Sequence, residues 1–261
     1  MELTWLGFEN FRNLTTARIE TDSQFVIFVG DNAQGKTNAL EAVYSLANLR
    51  PLNSSKSSEL IRFESERMRL AGGVRLGGIT RVHKLELCPP KRRIVTVDKQ
   101  RVTSLVDYFR GFRAIAFTPQ NLEIVAGAPV MRRSWLDRAA FTVNPGHLDV
   151  VRKYGKLLKQ KSSLLRERRF DNLLLESLNQ QLAIAGATLI QGRVQTLSSL
   201  NKHISSMYQT ISNGQEQITV EYKSDFYADD EEKIIEMLMR QFSENRTAEL
   251  ASKRTLIGPH R

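Results

Sequence analysis

With 41% hydrophobic and 25% charged residues, the 261-residue chain can bury one large core or two lobes, and it has neither a disordered nor a membrane-embedded composition. A single cysteine, Cys88, excludes an internal disulfide framework, and no signal peptide, lipidation motif or spanning apolar run is present, so the expected compartment is the cytoplasm. The formal net charge of +10 points to a polyanionic partner, nucleic acid ahead of a merely soluble basic protein.

In chain order, residues 2–6 and 17–20 alternate and predict two short strands around a turn containing Arg12-Asn13. An Arg-Asn pair upstream of a phosphate loop has two readings, a nucleotide contact or a solvated turn, and spacing alone favours the turn. Phe25-Val26-Ile27-Phe28-Val29 is an unbroken apolar run and predicts a strand buried on both faces of a parallel sheet. It leads into Gly30-Asp31-Asn32-Ala33-Gln34-Gly35-Lys36-Thr37, which satisfies G-x-x-x-x-G-K-[ST] at every fixed position. Ala39, Leu40, Val43, Leu46 and Ala47 then recur at helical spacing.

The residue types follow from the chemistry. Backbone N–H groups of such a loop and of the helix after it, aided by the helix dipole, hold the negative charge of a nucleotide's phosphates. Lys36 is expected on the outer phosphates and the Thr37 hydroxyl on Mg²⁺.

Residues 50–63, with Ser54-Ser55-Lys56-Ser57-Ser58, predict an exposed loop. Strands are expected at 69–71, 80–87 and 93–97, separated by Gly72-Gly73, Gly77-Gly78 and Pro89-Pro90, as an antiparallel sheet accessory to the parallel one. A short helix over 104–109, capped by Thr103 or Ser104 and ended by Gly111, precedes a second buried strand over 112–117, which delivers Gln120 to a loop. Pro129 opens a helix through Phe141, and Asn144-Pro145 opens another that carries Val151, Tyr154, Leu158 and Leu165 on one stripe. On that helix Arg152, Lys156, Lys159 and Arg166 fall within roughly 80° of one another. A basic face is by default solvated; the total charge makes DNA contact an equal reading.

A longer helical pattern runs from Leu175 to Ile211, about 60 Å of helix, with Gly186 and Gly192 as points of kinking and pairing with the preceding helix expected over a free coiled coil. Residues 217–222 predict a strand, and Asp229-Asp230-Glu231-Glu232 opens a last amphipathic helix.

Asn10-Phe11-Arg12-Asn13, the loop with Asn38, and Leu40-Glu41-Ala42 resemble the RecF family of bacterial recombinational repair proteins, a branch of the SMC-like ABC ATPases. Residues 117–122, residues 127–137 and the final Gly258-Pro259-His260-Arg261 resemble the same family in the same order. The resemblance implies an α/β P-loop NTPase lobe of ABC type with accessory antiparallel strands over 1–126, a largely helical lobe over 127–250, and a return towards the ATPase lobe over 251–261. It implies ATP and Mg²⁺ as cofactors, with Gly30, Asp31, Asn32, Ala33, Gln34, Gly35, Lys36, Thr37, Asn38, Arg12 and Gln120 at the nucleotide and Thr37 and Gln120 at the metal. It implies binding of single-stranded and duplex DNA in repair, replication restart and SOS induction, sequence-independent because no base-reading motif is visible, and together with the total charge it sets DNA contact by Arg152, Lys156, Lys159 and Arg166 level with the solvated reading of that face. RecO and RecR proteins and an ATP-dependent homodimer are the implied partners, and no membrane.

Two departures from the family pattern are visible. Ala33 stands where the family usually has glycine, at a cost of about 1 kcal/mol if the position carries positive φ. The chain also ends at Arg261, before the family's signature and acidic Walker B segments, so nucleotide binding without turnover is the expectation, and no catalytic residue is assigned. The rival readings are a small-molecule P-loop kinase and a nucleotide-independent DNA-binding scaffold.

Overall fold

A computed structural model describes residues 1–21, 23–52, 56–88, 92–167 and 171–260, with Arg92 described by its backbone alone. Ser54-Ser55 of the serine cluster, the Pro89-Pro90 break and Arg261 of the terminal motif lie outside the described residues. The chain divides into two units, Met1–Thr118 and Pro119–Arg261.

The first unit is built on six antiparallel strands in the order β2-β1-β3-β4-β5-β6. They are β1 (Glu2–Phe11), β2 (Leu14–Glu20), β3 (Met68–Leu76), β4 (Ile79–Cys88), β5 (Arg92–Val97) and β6 (Gln100–Arg101). Period-two patterning puts Thr4, Leu6 and Phe8 of β1 on one buried face, and β3 and β4 add Met68, Leu70, Val74, Leu85 and Leu87 to the core. Gly77 and Gly78, at φ 58° and 82°, close the β3–β4 hairpin with the backbone that a two-residue primed turn demands.

Gly72-Gly73 does not break the sheet, contrary to expectation; β3 runs through it. A Cβ on Gly72 would lie 3.0 Å from Leu46 Cδ2, and one on Gly73 2.3 Å from Trp5 Nε1, so the glycines admit close neighbours rather than a turn.

One of those neighbours belongs to α1 (Lys36–Asn48), which packs on β1, β3 and β4 through Ala39, Ala42, Leu46 and Ala47. The expected apolar stripe is corrected at one step: Leu40 is exposed and Glu41 is buried, because Glu41 forms an ion pair with Arg12. A 3₁₀ turn at Ser57–Leu60 and helix α2 (Leu105–Gly111) complete the unit, with Ser104 Oγ accepting from the Asp107 N–H at 3.2 Å as the N-cap.

The two runs expected as buried parallel strands are not strands. Residues 25–29 and 112–117 pair with no strand among the described residues. Phe25, Ile27, Val29, Ile115 and Phe117 are each more than four-fifths exposed. An unbroken apolar run suits a doubly buried strand only when strands flank both edges and helices cover both faces. The sheet of this unit is antiparallel throughout and takes its neighbours from elsewhere in the chain.

The second unit is helical: α3 (Glu123–Ala126), α4 (Pro129–Val143), α5 (His147–Leu164), α6 (Asn172–Ile211), α7 (Glu231–Glu244) and α8 (Arg246–Ser252). Its core joins Tyr154, Leu157 and Leu164 of α5 to Leu178, Leu182 and Ile190 of α6 and to Ile234, Leu238 and Phe242 of α7. Helix α6 runs 40 residues without a break, capped by Asp171, whose Oδ1 accepts from the Leu173 N–H at 2.8 Å. Gly186 and Gly192 therefore do not break it; they admit Leu238 and His147, to which a Cβ would come within 3.2 and 2.8 Å.

The expected strand over 217–222 is likewise absent. Its backbone is bound by side chains of α6 instead, Asn201 Nδ2 donating to Val220 O at 2.7 Å and Ser205 Oγ to Ile218 O at 3.0 Å. Side-chain amides and hydroxyls thus do for this segment what a second strand would do. Asn144 Oδ1 accepts from the Gly146 N–H at 3.0 Å within the turn before α5, which begins at His147 rather than at Pro145.

Residues 255–260 pack on the helices of this second unit. Buried Arg193 holds Asp137 in a bidentate pair at 2.8 and 2.9 Å and donates to Pro259 O at 2.8 Å. Burial pushes the Asp137 carboxyl up, but Arg193 and His147 outweigh it and hold the group below the ordinary carboxylate range. Gly258 sits at φ 132°, where a Cβ would fall 2.3 Å from the Tyr154 hydroxyl, and that hydroxyl meets His260 Nδ1 at 2.9 Å.

Candidate functional site

Residues 30–38 form an exposed loop that runs into the first turn of α1. Three of its residues, Gly30, Ala33 and Gly35, have positive φ, at 149°, 65° and 102°. The first intrahelical bond of α1 is Ala39 N–H to Gly35 O at 2.9 Å, which leaves the earlier N–H groups of the turn directed out of the helix end. Such a backbone presents successive donors to one side and binds anions of phosphate size.

Lys36 folds back over the loop and donates to Gly30 O at 2.7 Å and Asp31 O at 2.6 Å. An arriving phosphate oxygen offers the ammonium a charged acceptor in place of two neutral ones. Thr37 is exposed in the same first turn, one hydroxyl available to a divalent cation. Among the described residues no group of three or more His, Cys, Asp or Glu is placed to hold a metal. The arrangement fits Mg²⁺ arriving with phosphates as its main ligands, the manner usual for that ion.

The β1–β2 turn braces the loop. Asn13 Nδ2 donates to Ala33 O at 3.0 Å, and Asn13 Oδ1 accepts from Asn38 Nδ2 at 2.7 Å. A Cβ on Gly35 would lie 2.6 Å from Leu14 Cδ2 and 2.9 Å from Asn13 Oδ1, so Gly35 is needed for steric fit as well as for its φ. Spacing alone had favoured a solvated turn at Arg12-Asn13; instead both residues are engaged.

Arg12 grips Glu41 through Nε and Nη2 at 2.9 and 3.0 Å and donates from Nη1 to Glu59 O at 2.8 Å. Glu41 Oε1 also accepts from the Leu52 N–H at 3.1 Å. The guanidinium thereby ties the turn to α1 and to Glu59, and Glu41 extends the frame behind the loop to Leu52. Sequence reasoning singles out the Arg12-Asn13 pair but reads Asn13 as a solvated turn; its role as a brace of the loop rests on bonds to Ala33 and Asn38.

Gln120 belongs to the second unit, exposed in the 3₁₀ turn Pro119–Leu122. Arg152, Lys156 and Lys159 lie on the exposed face of α5, and Arg166 is exposed in the turn after the helix ends at Leu164. Arg152 makes an exposed i,i+3 pair with Asp149 at 3.8 Å, an arrangement worth about a few tenths of a kcal/mol, as for other surface pairs. No helix among the described residues is long and apolar enough to cross a membrane.

No family model matches the chain. Curated proteins do. The DNA replication and repair protein RecF of Myxococcus xanthus (strain DK1622) is 36% identical over 266 residues, which cover 100% of this chain and 70% of that protein. RecF of Lactobacillus acidophilus is 35% identical over 269 residues, covering 100% and 72%, and RecF of Streptococcus uberis 33% identical over 258 residues, covering 98% and 70%. Among solved structures, the recombination mediator protein RecF-ATPrS in the RecFOR pathway superposes with a TM-score of 0.93 at 28% identity, covering 100% of this chain and 71% of that one. The RecF-ATP structure of the same pathway gives 0.90 at 28% identity, covering 100% and 72%.

Proposed function

The chain belongs to the RecF family of DNA replication and repair proteins, and from that premise we propose that it binds ATP with Mg²⁺ on residues 30–38 and engages DNA through backbone phosphates. The observation that supports this reading most directly is the loop itself: three positive-φ positions, a helix start and the Lys36 ammonium converge on one exposed cradle. Bound ATP would be held by the N–H groups of the loop and of the first turn of α1, by Lys36, and through its metal by Thr37. Arg12 and Asn13 serve the same site by fixing the frame behind it.

DNA is engaged by the exposed cations Arg152, Lys156, Lys159 and Arg166, with no base-reading motif and hence no sequence preference. RecO- and RecR-type proteins are the expected partners, an ATP-dependent homodimer the expected assembly, and the cytoplasm the expected compartment. Family membership favours this reading over a small-molecule kinase or a nucleotide-independent scaffold.

The test is ATP affinity by calorimetry with Mg²⁺ present. Lys36→Ala is expected to abolish binding, since the motif holds no second lysine. An unchanged affinity would remove the loop from the nucleotide site.

A further inference from the structure

Away from the nucleotide loop, a cleft of about 600 Å³ opens in the second unit between the first turns of α4, helix α5 and residues 254–260. Arg133, Ser162, Arg254 and Thr255 line it. A second hollow of about 380 Å³, lined by Lys159, Ser162 and Arg166, shares Leu158 and Ser162 with the first, so the two form one groove along α5.

The charge in this groove is one-sided. Arg133, Lys159, Arg166 and Arg254 all line it, and none of the four has a carboxylate partner among the described residues. Unpaired cations on a surface are ordinary, but surface arginines elsewhere in this chain do find acids, as Arg69 finds Glu9 and Glu86 and Arg240 finds Glu244. Between the cations stand two hydroxyls, Ser162 Oγ and Thr255 Oγ1, 3.3 Å apart.

The groove is also held in shape from beneath. Glu249 forms a fully buried ion pair with Lys161 at 2.6 Å, and its Oε1 accepts from the Leu256 N–H at 2.8 Å. Its backbone carbonyl accepts from the Arg254 N–H at 3.3 Å. Glu249 is thus spent inward, and it anchors the segment that presents Arg254.

We propose that this groove seats phosphates of a DNA backbone, with Arg133 and Arg254 joining Lys159 and Arg166 as contacts. Cations flanking hydroxyls, with no carboxylate facing them, suit phosphodiester oxygens, which accept from both kinds of donor. The proposal rests on the DNA-binding reading above and adds Arg133, Arg254, Ser162 and Thr255 to it.

The experiment titrates fluorescent duplex and single-stranded oligonucleotides onto the full 261-residue chain across a salt series. Each lost duplex phosphate contact flattens the slope of log K against log salt by about 0.9. Arg133→Gln with Arg254→Gln is expected to flatten it by about 2 while ATP affinity stays at the wild-type value, and the matching lysine pair is expected to restore most of the slope. Wild-type binding with an unchanged slope in the glutamine variant would overturn the groove and leave DNA binding by the exposed face of α5 standing; an acidic protein segment as the true occupant gives that same result. If the unsubstituted chain shows no salt-dependent binding to either oligonucleotide, the broader DNA reading fails and this inference falls with it.

Discussion

Ala33 occupies a left-handed position, φ 65°, in a loop whose other two positive-φ residues are glycines. A β-carbon there costs about 1 kcal/mol, but alanine also restricts the unfolded chain, and the two effects partly offset. Ala33→Gly should therefore leave ATP affinity equal or raise it by at most about fivefold. Asn13→Ala should act the other way. It removes the bonds that hold Ala33 O and Asn38, each worth about 1 kcal/mol to the folded state, so ATP affinity should fall by about tenfold and the melting temperature of the free protein by roughly 4–8 °C. Calorimetry of the two variants side by side checks both signs. A loss of affinity in Ala33→Gly would mean that the loop depends on alanine's stiffness rather than tolerating its strain.

At the scale of elements, the Lys161–Glu249 pair joins α5 to α8 in full burial, with the ammonium also 4.0 Å from the centre of the Phe242 ring. Burial lowers the pKa of Lys161 even with Glu249 opposing it, so the charged pair stands only because each member compensates the other. Removing one partner strands the other. Glu249→Gln alone or Lys161→Met alone should each destabilise the protein by about 3–5 kcal/mol, whereas the two together should cost less than either, because no lone charge is left buried. Thermal melts of the three variants give the coupling directly, and simple additivity would show that the two charges do not depend on each other.

The same scale shows what the sequence could and could not say. The loop, α1, the Gly77-Gly78 break between strands, the acidic start of α7 and the long α6 are all local: spacing, charge and glycine pairs announce them. What misled was hydrophobicity read without neighbours. Residues 25–29 and 112–117 carry the side chains of buried strands, yet a strand exists only through a partner from anywhere along the chain, and none among the described residues pairs with them. Residues 217–222 failed for a related reason, since their backbone bonds go to the side chains of Asn201 and Ser205, which no periodicity encodes. Glu41 and Asn13 stood in recognised segments, but their roles lie in bonds to residues far along the chain, Arg12 and Ala33, which spacing does not encode.

For the molecule as a whole, a net charge of +10 and a set of exposed apolar side chains pull in opposite directions. Like charge keeps copies apart over a Debye length of about 30 Å at 0.01 M salt, and that range shrinks to about 3 Å at 1 M. Attraction between Phe25, Ile27, Val29, Ile115 and Phe117 on neighbouring copies is apolar and is not screened. Rising salt should therefore move two observables apart: DNA affinity should fall steeply as counterion release loses its advantage, while self-association should rise as repulsion fades. Ile27→Gln with Phe117→Gln changes no charge and removes two side chains that are 82% and 86% exposed, so the fold should be kept. Sedimentation velocity across the salt series should show the high-salt association weakened by about 3 kcal/mol, roughly a hundredfold, with the salt slope for DNA unaltered. A wild-type chain that stays monomeric at every salt concentration would mean that these side chains are too dispersed to form a contact, and that charge alone governs how the molecule behaves in solution.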